Sequence, residues 1–259
     1  MREQLPLVVG EVLASRGVTP ETCHAFLNPS LRDDMPNPST LKDMDKAAAR
    51  TADAILASEA IGIFGDYDVD GATSSSLLVR YFEAVGAKSH FHIPDRMVEG
   101  YGPNAPALLG LGERGCKLII TVDCGTLSFE PFEAAANAGL DIIVLDHHKA
   151  ETALPKVHSL VNPNRIDDDS GLGHLAAVGV TFLFLVSLNR CLRERGAFAG
   201  SMREPNLLQY LDMVALGTVC DVVPLVGLNR TYVERGLEVM AHRDNVGLRA
   251  LADVGRLDE

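Results

Sequence analysis

Through the middle of the chain, short apolar runs rich in Ile and Val alternate with longer segments of helical period. IGIFG (61–65), SHFHI (89–93), KLIITVD (117–123), DIIVLD (141–146) and HSLVN (158–162) read as strands. SSSLLVRYFEAVG (74–86), APALLGLGERG (105–115) and PFEAAANAG (131–139) read as the helices between them. Such alternation predicts βαβ units, hence an α/β fold with a parallel sheet, right-handed crossovers and helices on both faces. Before it, residues 1–45 predict a small helical segment: EVLASRG ends in a glycine stop, TPETCHAFL has a helix start, and NPSLRDDMPNPST is a proline-rich turn region. An Ala-rich helical pattern occupies Leu41 to Ser58. After the last strand the pattern is helical at 172–194, 207–219 and 230–243, so a unit from 46 to 259 divides into a sheet region (60–165) and a mainly helical part (170–259).

Composition agrees with that class: 47% of residues are hydrophobic, only 5% are aromatic and none is Trp. The formal net charge of -12 gives no global basic field for nucleic acid or a membrane surface. It does not exclude phosphate ligands, because cations held by carboxylates invert the local field. The five cysteines form no CxxC pair, which points to a reduced, cytoplasmic compartment. The uncharged run from Leu175 to Leu188 is shorter than the roughly 20 residues needed to span a bilayer, so it predicts a buried helix and no membrane partner.

The candidate chemistry lies at the ends of the strands. Asp66, Asp68, Asp70 and Gly71 match positions 1, 3, 5 and 6 of a calcium-binding helix–loop–helix, but position 12 is Leu77 where a bidentate Glu is needed, and a strand precedes the loop. Asp123 follows a second strand; Asp146, His147 and His148 follow a third. A single Asp after a strand is often no more than a cap or an Asx turn. Three strand ends supplying carboxylates and imidazoles to the carboxyl edge of one parallel sheet are different, because that edge is where such sheets bind ligands. Carboxylates so gathered repel unless cations neutralise them, and this donor set suits Mn²⁺ or Mg²⁺. Cys124, next to Asp123, is expected to face the core.

GDYDVDG, TVDCG, DHH and GTVCDVVPL occur in that order and resemble the four motifs of the DHH phosphoesterase superfamily. FLNPSL, LKDMDKA, IPDRMVEGYG, LAAVGV and YLDMVALGTVCDVVPL extend the similarity to the RecJ-type single-strand-specific exonucleases over nearly the whole chain. The resemblance implies a two-metal 5′→3′ exonuclease that acts on single-stranded DNA in repair and recombination. Asp68 and Asp70 would bind metal, Asp123 would bridge two metals, and His147 and Asp221 would complete the set. His148 would act beside the scissile phosphate as proton donor or oxyanion stabiliser, and Asp66 would add a ligand or a hydrogen bond behind the ligands. Asp221 belongs to the helical part, so the site is expected to close only when that part packs back on the sheet. Many superfamily members carry a histidine four residues before the first ligand Asp; Phe64 stands there, which implies one weakened metal position. Arg96 in IPDRMVEGYG is the expected clamp for a terminal 5′ phosphate. The Gly-rich turn with Ser74 and Ser75 is an expected anion seat at a helix N-terminus. His174 is expected to have a supporting role. Relatives of this type continue into a second domain with a Gly-Gly-His type motif, and often an OB-fold; neither is found in the sequence, which therefore reads as a catalytic core. Two other readings compete: a phosphodiesterase of the same chemistry acting on short oligoribonucleotides, cyclic dinucleotides or pyrophosphate, and a catalytically silent scaffold.

Overall fold

A computed structural model describes residues 5–257. The chain divides into two compact units between Met35 and Pro36. The first unit holds helices α1 (Leu7–Ser15), α2 (Cys23–Leu27) and α3 (Leu31–Asp34), the last of them a single turn inside the stretch expected to be turns alone.

The second unit begins with a 3₁₀ turn at Pro38–Thr40 and helix α4 (Met44–Leu56), then runs β1 (Ala60–Gly65), α5 (Val69–Ala84), β2 (Ser89–His92), α6 (Ala105–Glu113), β3 (Cys116–Val122), α7 (Phe129–Asn137), β4 (Asp141–Leu145) and β5 (Ser159–Val161). It ends in α8 (Ala177–Glu194), α9 (Leu211–Cys220), α10 (Gly227–Ala241) and α11 (Val246–Gly255). The five strands form an all-parallel sheet in the order β2-β1-β3-β4-β5. The chain moves outward from β1 to β2, then returns across β1 to β3. The point at which the order reverses lies between β1 and β3, and a crevice opens beyond their carboxyl ends.

Alternation along the strands divides the core between the two faces of the sheet. Phe64, Ile119, Ile142 and Val144 pack with Leu108 and Leu111 of α6 and Phe132 and Ala135 of α7. Ile61, Ile63, Leu118 and Ile120 belong to the opposite face, where α4, α5 and α8 lie; all four are fully buried. The expected buried helix at 172–194 is α8, although it begins at Ala177. Among the described residues no helix is long and apolar enough to cross a membrane.

Two departures from the sequence reading bear on the site. Helix α5 begins at Val69 and not at residue 74, because Asp68 caps it by accepting a hydrogen bond from Gly71 N at 3.0 Å. Gly71 packs so closely on the Asp66 backbone that a Cβ there would overlap it, which is why this turn takes glycine. Helix α11 was not expected; it is capped by Asn245, whose Oδ1 accepts from Gly247 N and Leu248 N.

Candidate metal centre

Five carboxylates and two imidazoles meet in the crevice. Asp66 and Asp68 leave β1, Asp70 sits in the first turn of α5, Asp123 follows β3, His147 and His148 follow β4, and Asp221 terminates α9. Their donor atoms form three overlapping groups, each within 4.8 Å: Asp66–Asp68–Asp123, Asp70–His147–Asp221 and Asp123–His147–His148. His147 Nε2 lies 3.3 Å from Asp123, 3.6 Å from Asp221 and 3.8 Å from Asp70.

The fold holds each donor from behind. His147 Nδ1 lies 3.0 Å from the Leu175 carbonyl. A carbonyl can only accept, so Nδ1 carries a proton and Nε2 is the nitrogen turned toward the three carboxylates. Asp70 accepts from Ala177 N at 2.7 Å and Val178 N at 2.8 Å, and so caps α8 from a different helix. Asp123 has φ 60°, in the left-handed region that a non-glycine residue enters at some cost and that gathers at functional sites. Asp221 depends on helix packing: at Gly217, one turn earlier in α9, a Cβ would overlap Thr73 of α5 and crowd Val178 of α8.

Electrostatically the cluster is incomplete. Burial raises the pKa of Asp123, and the nearby charges of Asp70 and Asp68 raise it further. Burial likewise raises Asp70, Asp66 and Asp221, with His147 opposing at Asp70 and Asp221. Both oxygens of Asp123, one each of Asp66 and Asp221, and His147 Nε2 are buried with no hydrogen-bond partner. Buried acceptors converging without donors fit one or two divalent cations, which would replace the missing donors and cancel the repulsion. Hard oxygens with one or two imidazoles match Mn²⁺ or Mg²⁺.

Asp146 is not part of that donor set. It is completely buried and accepts five hydrogen bonds: from Thr126 N and Oγ1, His147 N, His148 N and His148 Nδ1. Burial raises its pKa, but those hydrogen bonds and the charge of His148 outweigh it and hold the carboxyl well below the ordinary range. Its hydrogen bond in turn raises the pKa of His148, against burial. His148 remains half exposed, with Nε2 3.4 Å from the Tyr101 hydroxyl. Sequence reasoning placed Asp146 among the strand-end residues without seeing this orienting role. It missed Tyr101 and Tyr67, and it missed Asn162, which donates to Thr126 Oγ1 and the His148 carbonyl. The Asn162–Pro163–Asn164 turn directly after β5 was the available signal.

The other expected site residues divide. Arg96 is exposed, sits over the Tyr67 ring at 5.3 Å and makes no salt bridge among the described residues, so it stays available next to Asp66 and Asp68. Ser74 and Ser75 do not form an anion seat. Because α5 starts at Val69 they lie in its second turn, their side chains are buried, and Ser75 packs against Gly65. Cys124 is buried in the core, as expected. Phe64 is fully buried and stacks on His92 at 5.5 Å, so its position belongs to the core and supplies no ligand. His174 reaches no donor group; its ring packs near Gly227 while its carbonyl accepts from Asn229.

A parallel sheet with carboxylates and imidazoles gathered at its switch point defines a class of α/β proteins built around a metal centre. Within that class the chain belongs to the DHH family, whose N-terminal domain model matches residues 60–218. It is 36% identical to the single-stranded-DNA-specific exonuclease RecJ of Bacillus subtilis over all of this chain and 32% of that protein. It is 35% identical to RecJ of Escherichia coli over 98% of this chain and 44% of that protein. A crystal structure of exonuclease RecJ bound to manganese superposes with a TM-score of 0.71 at 34% identity, over 83% of this chain and 52% of that one. RecJ from Thermus thermophilus in complex with Mn²⁺ gives 0.70 at 31% identity, over 96% and 36%. The chain thus spans about a third to about half of the length of these relatives.

Proposed function

We propose that this chain is the catalytic core of a metal-dependent exonuclease that hydrolyses single-stranded DNA from a 5′-phosphorylated end and releases 5′-mononucleotides, in DNA repair and recombination. The observation that carries the reading is the buried, unpartnered set around Asp123 and His147, in a chain about one-third identical to RecJ exonucleases. Asp68, Asp70, Asp123, His147 and Asp221 would hold the divalent cations, with Asp66 beside Asp68 and Asp123 as a further donor. Mn²⁺ or Mg²⁺, when bound, supplies Lewis acidity at the phosphate and a nucleophilic water. His148, whose pKa the Asp146 hydrogen bond raises, faces the attacked phosphate and gives a proton to the leaving oxygen or stabilises the developing charge. Arg96, held on the Tyr67 ring, grips the terminal phosphate through its planar fork. All five cysteines are free, which supports a cytoplasmic location.

The test is release of mononucleotides from a 5′-phosphorylated oligonucleotide in Mn²⁺, alongside dinucleotide and pyrophosphate substrates. Asp123→Ala is expected to abolish release; activity that persists in that variant sinks the assigned centre, and preference for a dinucleotide sinks the substrate.

A further inference from the structure

We infer that Glu99 is a positioning residue for the terminal phosphate: it clips the loop 93–103 shut and thereby sets where Arg96 points. The inference rests on the reading of Arg96 as the phosphate clamp.

The loop joins β2 to α6 and carries both Arg96 and Tyr101. Its tip is solvent-exposed: Met97 is 90% and Val98 83% exposed. The tip has only local turn hydrogen bonds, from Val98 N and Glu99 N to the Asp95 carbonyl and from Met97 N to Asp95 Oδ1, which shape the turn without tying it to the rest of the fold. The two stems are tied by one side chain. Glu99 Oε1 accepts from Asp95 N at 2.9 Å, next to Arg96. Its Oε2 accepts from His92 Nε2 at 2.8 Å, at the end of β2, and from Asn104 Nδ2 at 3.1 Å, at the start of α6. Both anchors are fixed independently of the loop. His92 stacks on Phe64, which is fully buried in the core. Asn104 caps α6 by accepting from Ala107 N at 2.9 Å.

A carboxylate is required for this arrangement, because three donors from three places converge on two acceptor oxygens. The closed loop sets Arg96 over Tyr67, the residue between Asp66 and Asp68 in the chain, and Tyr101 beside His148. Opening the clip leaves the cluster's own supports in place, since Leu175, Ala177 and Val178 belong to other segments. Glu99 should therefore act on phosphate recognition and not on metal binding. Phe64 gains a purpose as well: it is the floor on which the His92 anchor rests.

The experiment compares Glu99→Ala, Glu99→Gln and Arg96→Ala with the unaltered chain. Affinity for thymidine 5′-monophosphate and for thymidine is measured by NMR titration in Mg²⁺, Mn²⁺ binding by calorimetry, and kcat and KM with a 5′-phosphorylated oligonucleotide. If the docked loop falls to about a tenth of the population, apparent affinity falls about tenfold. Glu99→Ala is expected to weaken thymidine monophosphate about tenfold and raise KM by a similar factor, with thymidine affinity and Mn²⁺ binding unchanged. Glu99→Gln, which keeps an acceptor for Asp95 N, should recover part of the loss, and it makes the same comparison if the alanine variant fails to unfold cooperatively. Wild-type monophosphate affinity in both Glu99 variants, with Arg96→Ala defective, overturns the inference alone. Wild-type affinity in Arg96→Ala overturns the phosphate-clamp reading and the inference with it. Loss of Mn²⁺ binding in Glu99→Gln also overturns it, since the residue would then support the whole site.

Discussion

Replacing Asp146 by asparagine puts one amide group where a carboxylate oxygen now accepts hydrogen bonds, and the structure fixes which side the amide takes. One oxygen accepts three donors, His147 N, His148 N and His148 Nδ1; the other accepts Thr126 N and Oγ1. The amide nitrogen goes to the second position, where the Thr126 hydroxyl can turn and accept but the buried Thr126 N–H is left facing another donor. An orphaned buried N–H costs about 1–3 kcal/mol. Bonds to a neutral carbonyl in place of a carboxylate lose about 1 kcal/mol more, so the total is about 2–4 kcal/mol of a typical 5–15. The same loss of charge assistance lowers the His148 pKa from its raised position. Imidazole titration by NMR and urea unfolding, both in chelator, measure the two effects. The depressed Asp146 contributes stability above the ordinary carboxylate range and loses it as pH falls. The raised His148 contributes below its ordinary value and loses it as pH rises. The stability difference between wild type and variant should accordingly be largest between those limits. An unchanged His148 midpoint would refute the orienting role of Asp146, whatever the stability.

Two further outcomes follow from the carboxylate cluster. Asp66, Asp70, Asp123 and Asp221 all have raised values when folded, so their contribution is complete below about pH 4 and is lost as pH rises. Thermal unfolding in chelator should shift to lower temperature between about pH 5 and 8, and Mn²⁺ should remove that slope; a slope unchanged by Mn²⁺ argues against a cation at the cluster. Asp70→Ala removes the cap of α8 and should cost about 1–2 kcal/mol in chelator. The cost should rise by about 2.7 kcal/mol at Mn²⁺ one hundred times its dissociation constant, where the wild type gains binding energy; equal costs with and without Mn²⁺ would separate Asp70 from the metal.

The strands were legible because a buried parallel sheet writes itself as short β-branched runs, and every one of the five falls within a residue of its expected limits. The convergence of Asp66, Asp123 and His147 was legible for a related reason: each closely follows such a run. The start of α5 was not, since Asp-Val-Asp-Gly has the composition of a turn and becomes helix only because Asp68 caps it and Gly71 fits against Asp66. Nor could sequence show that Asp70 caps α8, a contact across 107 positions. Ser74 and Ser75 failed as an anion seat by this same displacement: with the helix beginning earlier, residues read as its start lie in its body. Asp146 was visible only as a strand-end residue, because spacing does not reveal that its oxygens are already saturated.

Gly217 has a wider consequence. The contact distance between α9 and α5 there is set by the absence of a single carbon, and Asp221 rides on the end of α9. A bulkier residue would widen the coordination shell without removing a ligand. Mg²⁺ demands near-ideal octahedral geometry at about 2.0–2.1 Å, so Gly217→Ala should weaken Mg²⁺ more than Mn²⁺ in competition calorimetry, and equal weakening would disprove the link. On this view the choice of ion is made by the spacing of two helices as well as by the atoms that touch it.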